Sequence, residues 1–149
     1  MKRTARDLLR VKGTEVWSVP PDATVYEALE AMAERNIGAV LVMDEDRLLG
    51  ILSERDYARK MELEGKCSKD TNVREIMTEC PFCIPPHRTV EEAMAVMTEK
   101  RVRHLPVLEG ERVVGLISIG DVVKEIISQQ EFVIEQLENY ITGTPARPR

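Results

Sequence analysis

Two short patterns in this chain have residue types and spacing that could do chemistry. Ser53-Glu54-Arg55-Asp56 and Ser118-Ile119-Gly120-Asp121 each place a hydroxyl three residues before a carboxylate. At a helix start this spacing makes a capping box, with the carboxylate at the positive end of the helix dipole. A carboxylate held at a strand-to-helix turn can also accept both hydroxyls of a ribose. The serine and nearby free N–H groups can face a phosphate. A third pattern, Cys80-Pro81-Phe82-Cys83, raises a redox pair or half a zinc site. A redox pair needs a helix start to lower a thiol pKa, and the next helix signal is at Thr89. On an extended segment, residues three apart face opposite sides, which opposes both a disulfide and shared ligation unless Pro81 bends the chain. A complete zinc site usually takes four protein ligands, and the chain has only His87 and His104 to add. We read Cys83 as a small cleft-lining residue and Cys80 as a bystander. No convincing general base and nucleophile occur together, so no reaction is assigned.

The elements around these patterns come in two copies. Shifted by 65 residues, 19–57 falls on 84–122 without a gap, and 13 of the 39 pairs are identical. Each copy has an extended lead-in ending at Pro-Pro, then Thr-x-x-Glu (Thr24 and Glu27, Thr89 and Glu92), a helix-start signature. Helices are predicted over 24–35 and 89–100. Val25, Leu29, Met32 and Ala33 form an apolar stripe on the first, and Val90, Met94 and Met97 on the second. Each helix leads into two apolar strands joined by a polar turn, a hairpin pattern. A second helix begins at Ser53 or Ser118. The unit is β-α-β-β-α, twice: an α/β (α+β) fold of two tandem repeats with pseudo-two-fold symmetry. The expected boundaries are 1–66, 67–141 and a disordered tail at 142–149. The closing helix, about 121–141, carries Val122, Val123, Ile126, Ile127, Val133, Ile134, Leu137 and Ile141. That exceeds the needs of one small unit and points to a dimer contact.

Composition bounds the function. Net charge is −5 and 32% of residues are charged, which argues against a nucleic-acid binder with a basic stripe. No apolar run approaches membrane-spanning length. The basic N-terminus, MKRTARDLLRVKG, lacks the apolar stretch of a secretory signal. Three cysteines cannot all pair within one chain, so a reducing cytoplasmic setting is expected.

The tandem units, each closing on Gly-x-x-Ser-x-x-Asp in GILSERDYARK and GLISIGDVVK, with VREIMT before the second, resemble a pair of cystathionine β-synthase (CBS) domains, a Bateman module. RHLPVLEGERVVGLIS is especially close to the family pattern, and the resemblance covers residues 5 to 128. It implies a free-standing, non-catalytic regulatory module that binds an adenine nucleotide between its repeats. It also implies a homodimer built through helices. The family's ribose carboxylates would be Asp56 and Asp121, with Ser53 and Ser118 near phosphate. The Asp56 cleft would be lined by Cys83, Ile84, Arg103, His104 and Pro106, and the Asp121 cleft by Ser18, Val19, Ile37, Gly38 and Ala39. Adjacent strand residues face opposite ways, so one of Arg103 and His104 is expected to reach a given phosphate. Gly38 and Ala39 leave room for a flat base but carry no charge, which turns phosphate binding away from the Asp121 cleft. Arg55 and Arg59, four apart on a helix, could serve a dinucleotide or polyphosphate. A solvated helix face paired with Glu54 or Glu62 is the plainer alternative, and it suits Arg59 more than Arg55. AMP and NAD lead the expected ligands, ahead of ADP and ATP. Two other classes stay open: a ligand-free adaptor docking a regulated partner protein, and a C-x-x-C thiol oxidoreductase.

Overall fold

A computed structural model describes residues 2–79 and 81–142. Cys80 and the tail from 143 lie outside it, as does the side chain of Thr142. The elements are α1 (Ala5–Lys12), β1 (Ser18–Val19), α2 (Val25–Arg35), β2 (Ala39–Asp44), β3 (Arg47–Ser53) and α3 (Glu54–Tyr57). They continue with β4 (Thr78–Glu79), α4 (Val90–Lys100), β5 (His104–Glu109), β6 (Arg112–Ser118) and α5 (Ile119–Thr142). One four-stranded sheet runs β1-β2-β3-β4, and β5 and β6 form a second, two-stranded one.

The repeat is visible down to single hydrogen bonds. Thr24 and Thr89 hydroxyls accept from the N–H groups of Glu27 and Glu92, both at 3.1 Å. The helices they cap end at Asn36 and Arg101, which adopt the left-handed conformation with φ 53° and 56°. Each hairpin then carries an irregularity at one equivalent place, Val42/Met43 and Val107/Leu108. Each hairpin turn holds one left-handed residue, Glu45 or Gly110. The parallel pairing of Val19 with Val42 recurs as a lone bridge between Ile84 and Val107.

The core stripes differ from the expected ones. Val25, Ala28 and Met32 are buried on α2, and Val90, Ala93 and Met97 on α4. Leu29 and Met94 are only partly buried, and Ala33 is exposed. The spacing i, i+3, i+7 still marks one helix face. The middle position of each stripe, Ala28 or Ala93, is a fully buried methyl. A small third core of Ala39, Leu41 and Ile51 packs against Val113 and Leu116 and joins the two hairpins.

Helix α1 was not foreseen. Thr4 and Asp7 form a complete capping box at its start, and Ala5, Leu8 and Leu9 are buried in the core of the second repeat. The second repeat holds this segment through backbone bonds: Ala5 N–H to Arg88 O, Arg6 N–H to Pro86 O and Val90 N–H to Arg3 O. Residues 71–74 make the equivalent bonds on the first repeat: Val73 N–H to Ala23 O, Arg74 N–H to Pro21 O and Val25 N–H to Thr71 O. Each repeat is thus completed by the segment that precedes the other, and the packing crosses the 66/67 boundary.

Candidate functional site

Both Ser-x-x-Asp patterns form the capping geometry. Ser53 donates to Asp56 Oδ2 from its N–H (3.0 Å) and hydroxyl (3.0 Å), and Asp56 N–H donates to Ser53 Oγ (3.1 Å). Ser118 N–H donates to Asp121 Oδ2 (2.8 Å), and Asp121 N–H to Ser118 Oγ (3.2 Å). The first residue of each following helix is tied to the head of its own hairpin: Glu54 N–H to Gly38 O, and Ile119 N–H to Arg103 O. These local bonds place each carboxylate at the rim of a cavity between the repeats.

The Asp56 cavity holds about 820 Å³ and the Asp121 cavity about 650 Å³, within the range of small-molecule sites. Ser53, Arg55, Asp56, Arg103 and His104 line the first. Cys83, Ile84 and Pro106 are not among its lining residues: Ile84 is buried in the core, Pro106 is buried in β5, and Cys83 is half-buried. Ile37, Gly38, Ala39, Ser118 and Asp121 line the second cavity, but Ser18 and Val19 do not. Their place is taken by Val16 and Trp17, because the lead-in reaches its pairing with β2 only at Ser18. Arg103 and His104 were expected to face opposite ways. Both line the Asp56 cavity, because Arg103 precedes β5 and escapes the strand alternation.

Two contributors were missed. Lys12, at the end of α1, donates from Nζ to Asp121 Oδ2 (2.7 Å) and to the Leu116 carbonyl (2.6 Å). It supplies the charge that Gly38 and Ala39 lack. No local pattern announces a contact spanning 109 residues, although the Thr4-x-x-Asp7 box announces the helix that carries it. Trp17, the chain's only tryptophan, lies on the Asp121 cavity under the Arg35 guanidinium, 3.5 Å from its ring centre. On the other side, Asp56 Oδ1 accepts from Thr78 Oγ1 (3.2 Å) and lies 3.3 Å from Lys60 Nζ.

His104 lines both cavities. A Cβ added at Gly38 would sit 3.9 Å from its ring and from Glu54 Oε1. Burial holds the imidazole below its usual value near 6.5, Lys12 and Arg103 push the same way, and Asp121 opposes them. The folded protein therefore takes up this proton at lower pH than the unfolded chain. Its stabilising contribution is complete above about 6.5 and is lost as pH falls toward the folded value. The expected result is a melting midpoint that falls more between pH 7.5 and 5.5 in wild type than in His104→Gln. Parallel midpoint curves would refute this.

Burial also shapes two other groups here. Desolvation raises the Asp121 carboxyl, but bonds from Lys12 and Ser118 outweigh it and leave the pKa lowered. Burial raises the Cys83 thiol, and that thiol donates to the Pro81 carbonyl at 3.2 Å. A raised thiol is the opposite of an activated one. Among the described residues no group of three or more His, Cys, Asp or Glu side chains is placed to hold a metal.

Comparison with known proteins agrees with this architecture. The CBS domain pattern matches residues 5–63 and 73–128. The mitochondrial CBS domain-containing protein CBSX3 of Arabidopsis thaliana is 37% identical over 94% of this chain and 72% of its own length. Several further Arabidopsis relatives are longer, and the chain spans 24% of their length. The crystal structure of the CBS domain protein NE2398 is 49% identical, with TM-score 0.82 over 85% of this chain and 99% of that one. The CBS pair of MJ0100, solved with 5′-methylthioadenosine and S-adenosyl-L-methionine, is 20% identical with TM-score 0.77 over 87% of this chain and 99% of that one, a likeness of fold. With both repeats matched and the Ser-x-x-Asp turns at the heads of two inter-repeat cavities, this chain belongs to the CBS domain family and carries its domains as a pair.

Proposed function

We propose that this CBS pair is a non-catalytic regulatory module whose inter-repeat cavities take an adenine nucleotide, from the set AMP, ADP, ATP and NAD. The observation that carries the reading is the twice-repeated carboxylate, Asp56 and Asp121, anchored through its own serine at the rim of a nucleoside-sized cavity. The two cavities are neighbours that share Gly38 and His104 as lining residues, the adjacency that keeps NAD in the set. The adenosyl ligands of the MJ0100 pair support the ligand class. Filling a cavity would shift the balance between conformations or partner states, as far as the ligand's affinities for them differ. The compartment is part of the proposal: a reducing cytoplasm by cysteine usage, although one relative is named as mitochondrial. No helix is long and apolar enough to cross a membrane among the described residues.

Thermal melting with AMP, ADP, ATP, NAD, NADH and S-adenosylmethionine tests the reading. A ligand at 100 times its Kd adds about 2.7 kcal/mol to the folded state. The expected result is a dose-dependent rise with an adenine nucleotide, lost from the cavity whose carboxylate is replaced, by Asp56→Asn in one and Asp121→Asn in the other, and abolished when both are replaced. A flat response to all six refutes ligand binding. It would favour the second reading, an adaptor that docks a partner or second copy through α5. That reading rests on the exposed Ile127, Val133, Ile134 and Leu137 of α5, which are about half exposed (49 to 57%). They lie on the helix expected to make the dimer contact.

A further inference from the structure

The two cavities share a fold but not a charge. Arg55, Arg59, Lys60, Arg101 and Arg103 line the Asp56 cavity, against Glu54, Asp56 and Glu79. The Asp121 cavity has Lys12 against Glu15 and Asp121. The excess of cations stands out on a chain whose net charge is −5. It is also assembled from both repeats. Arg55 and Arg59 come from α3 and the π-turn that continues it, Ala58–Glu62. Arg101 and Arg103 come from the segment between α4 and β5 of the other repeat.

These four guanidiniums form no ion pair with any described residue. Arg3, Arg6, Arg10, Arg74 and Arg88 each have a carboxylate partner. Of the acids near the cluster, Asp56 holds Ser53, Thr78 and Lys60, and Glu62 accepts from the Tyr57 hydroxyl at 2.8 Å; Glu54 and Glu79 line the same cavity and offset part of its positive charge without pairing with any of the four arginines. Unpaired like charges gathered around one cavity repel one another, and a polyanion relieves that repulsion. Guanidinium matches phosphate oxygens with paired N–H groups, so each arginine can hold one phosphate face. A single phosphate cannot satisfy four such groups spread over two repeats, and a chain of two or three phosphates can reach more of them.

We propose that the Asp56 cavity is a di- or triphosphate site, selecting ADP and ATP over AMP, and that the Asp121 cavity does not share this selectivity. For the nucleoside part this rests on the nucleotide reading above. The anion part rests on the arginines alone.

Isothermal titration of the full chain in magnesium-free buffer tests it, with adenosine, AMP, ADP, ATP and inorganic tripolyphosphate as probes. The expected result is ATP binding at least about tenfold tighter than AMP, weakening steeply as salt is raised from low to physiological strength. Arg55→Gln/Arg103→Gln should lose about tenfold or more for ATP and tripolyphosphate while adenosine changes less than about twofold. Asp121→Asn should keep the ATP preference. Both arginines are exposed, so the substitutions leave the core untouched, and an unchanged melting midpoint checks this. Equal binding of AMP and ATP overturns the proposal but leaves the nucleotide reading intact. So does an ATP preference that survives the arginine changes or vanishes in Asp121→Asn. Tripolyphosphate binding that depends on the arginines, with no response to adenosine or any adenine nucleotide, supports the anion site and sinks the nucleotide reading. Silence from tripolyphosphate and ATP together overturns the proposal.

Discussion

Leu9→Ala should lower the melting midpoint by roughly 10 °C. Leu9 is 3% exposed and sits in the core of the second repeat. Truncating a buried leucine costs about 2–5 kcal/mol, according to how far the site collapses. A chain of this size loses about 2–4 °C per kcal/mol. The pocket Leu9 fills exists because position 115 has no side chain: a Cβ there would lie 2.5 Å and 2.6 Å from the two Leu9 methyls. Gly115→Ala alone should therefore cost about 1–3 kcal/mol through overpacking. Combining it with Leu9→Ala puts a methyl where the leucine ended, so the double variant should lose less than the two single losses added. Coupling of this kind is what a double-mutant cycle reads. A near wild-type midpoint for Leu9→Ala, or strict additivity in the cycle, would mean that α1 is not part of the second core. The same variant loosens the helix that delivers Lys12 to Asp121.

Gly50→Ala is the second large effect, and its clash is with backbone. A Cβ at Gly50 would lie 2.7 Å from the Thr78 carbonyl oxygen and 2.8 Å from Met77 Sδ. A methionine tip can swing away. The carbonyl belongs to β4, whose pairing with β3 at Gly50↔Glu79 and Ile51↔Thr78 must open to admit the methyl. The expected loss is about 3 kcal/mol, at the upper end of overpacking costs, read as a drop in melting midpoint of roughly 6–12 °C. Thr78 also donates to Asp56 Oδ1, so hydrogen exchange at 78–79 should quicken and binding in the Asp56 cavity should weaken. Gly38→Ala is the control: its added Cβ meets nothing closer than 3.9 Å. Equal melting midpoints for the two alanine variants would show that β4 does not lie against Gly50.

Much of the site was legible because its chemistry is local. The hydroxyl-to-carboxylate spacing at Ser53 and Ser118 fixes a capping geometry within one helical turn, and the hairpins before them follow from apolar runs broken by polar turns. Asp56 and Asp121 therefore stood at strand-to-helix turns on sequence evidence alone. The resemblance suggested cleft walls, and Arg103, His104, Ile37, Gly38 and Ala39 are found on them. The expected lining fails at Cys83, Ile84 and Pro106 of one cleft and at Ser18 and Val19 of the other. There a shift of one or two residues along the lead-in or strand decides whether a side chain meets cavity or core. Ala33 was misread for a related reason: apolar character does not say which residues at helical spacing face the core.

By itself the sequence determined the twofold repeat, the order of its elements, the helix caps and the two anchored carboxylates, all products of interactions a few residues apart. Only the tertiary structure decided that each repeat is completed by the segment preceding the other. Those bonds join Ala5 to Arg88 and Val73 to Ala23, distances along the chain that no periodicity encodes. That exchange carries Lys12 onto Asp121 and sets Thr78 beside Asp56. The packing of the two hairpins against one another gathers four arginines of two repeats around one cavity. Charge composition could not reveal this, because an acidic total is compatible with a basic pocket wherever the fold assembles one.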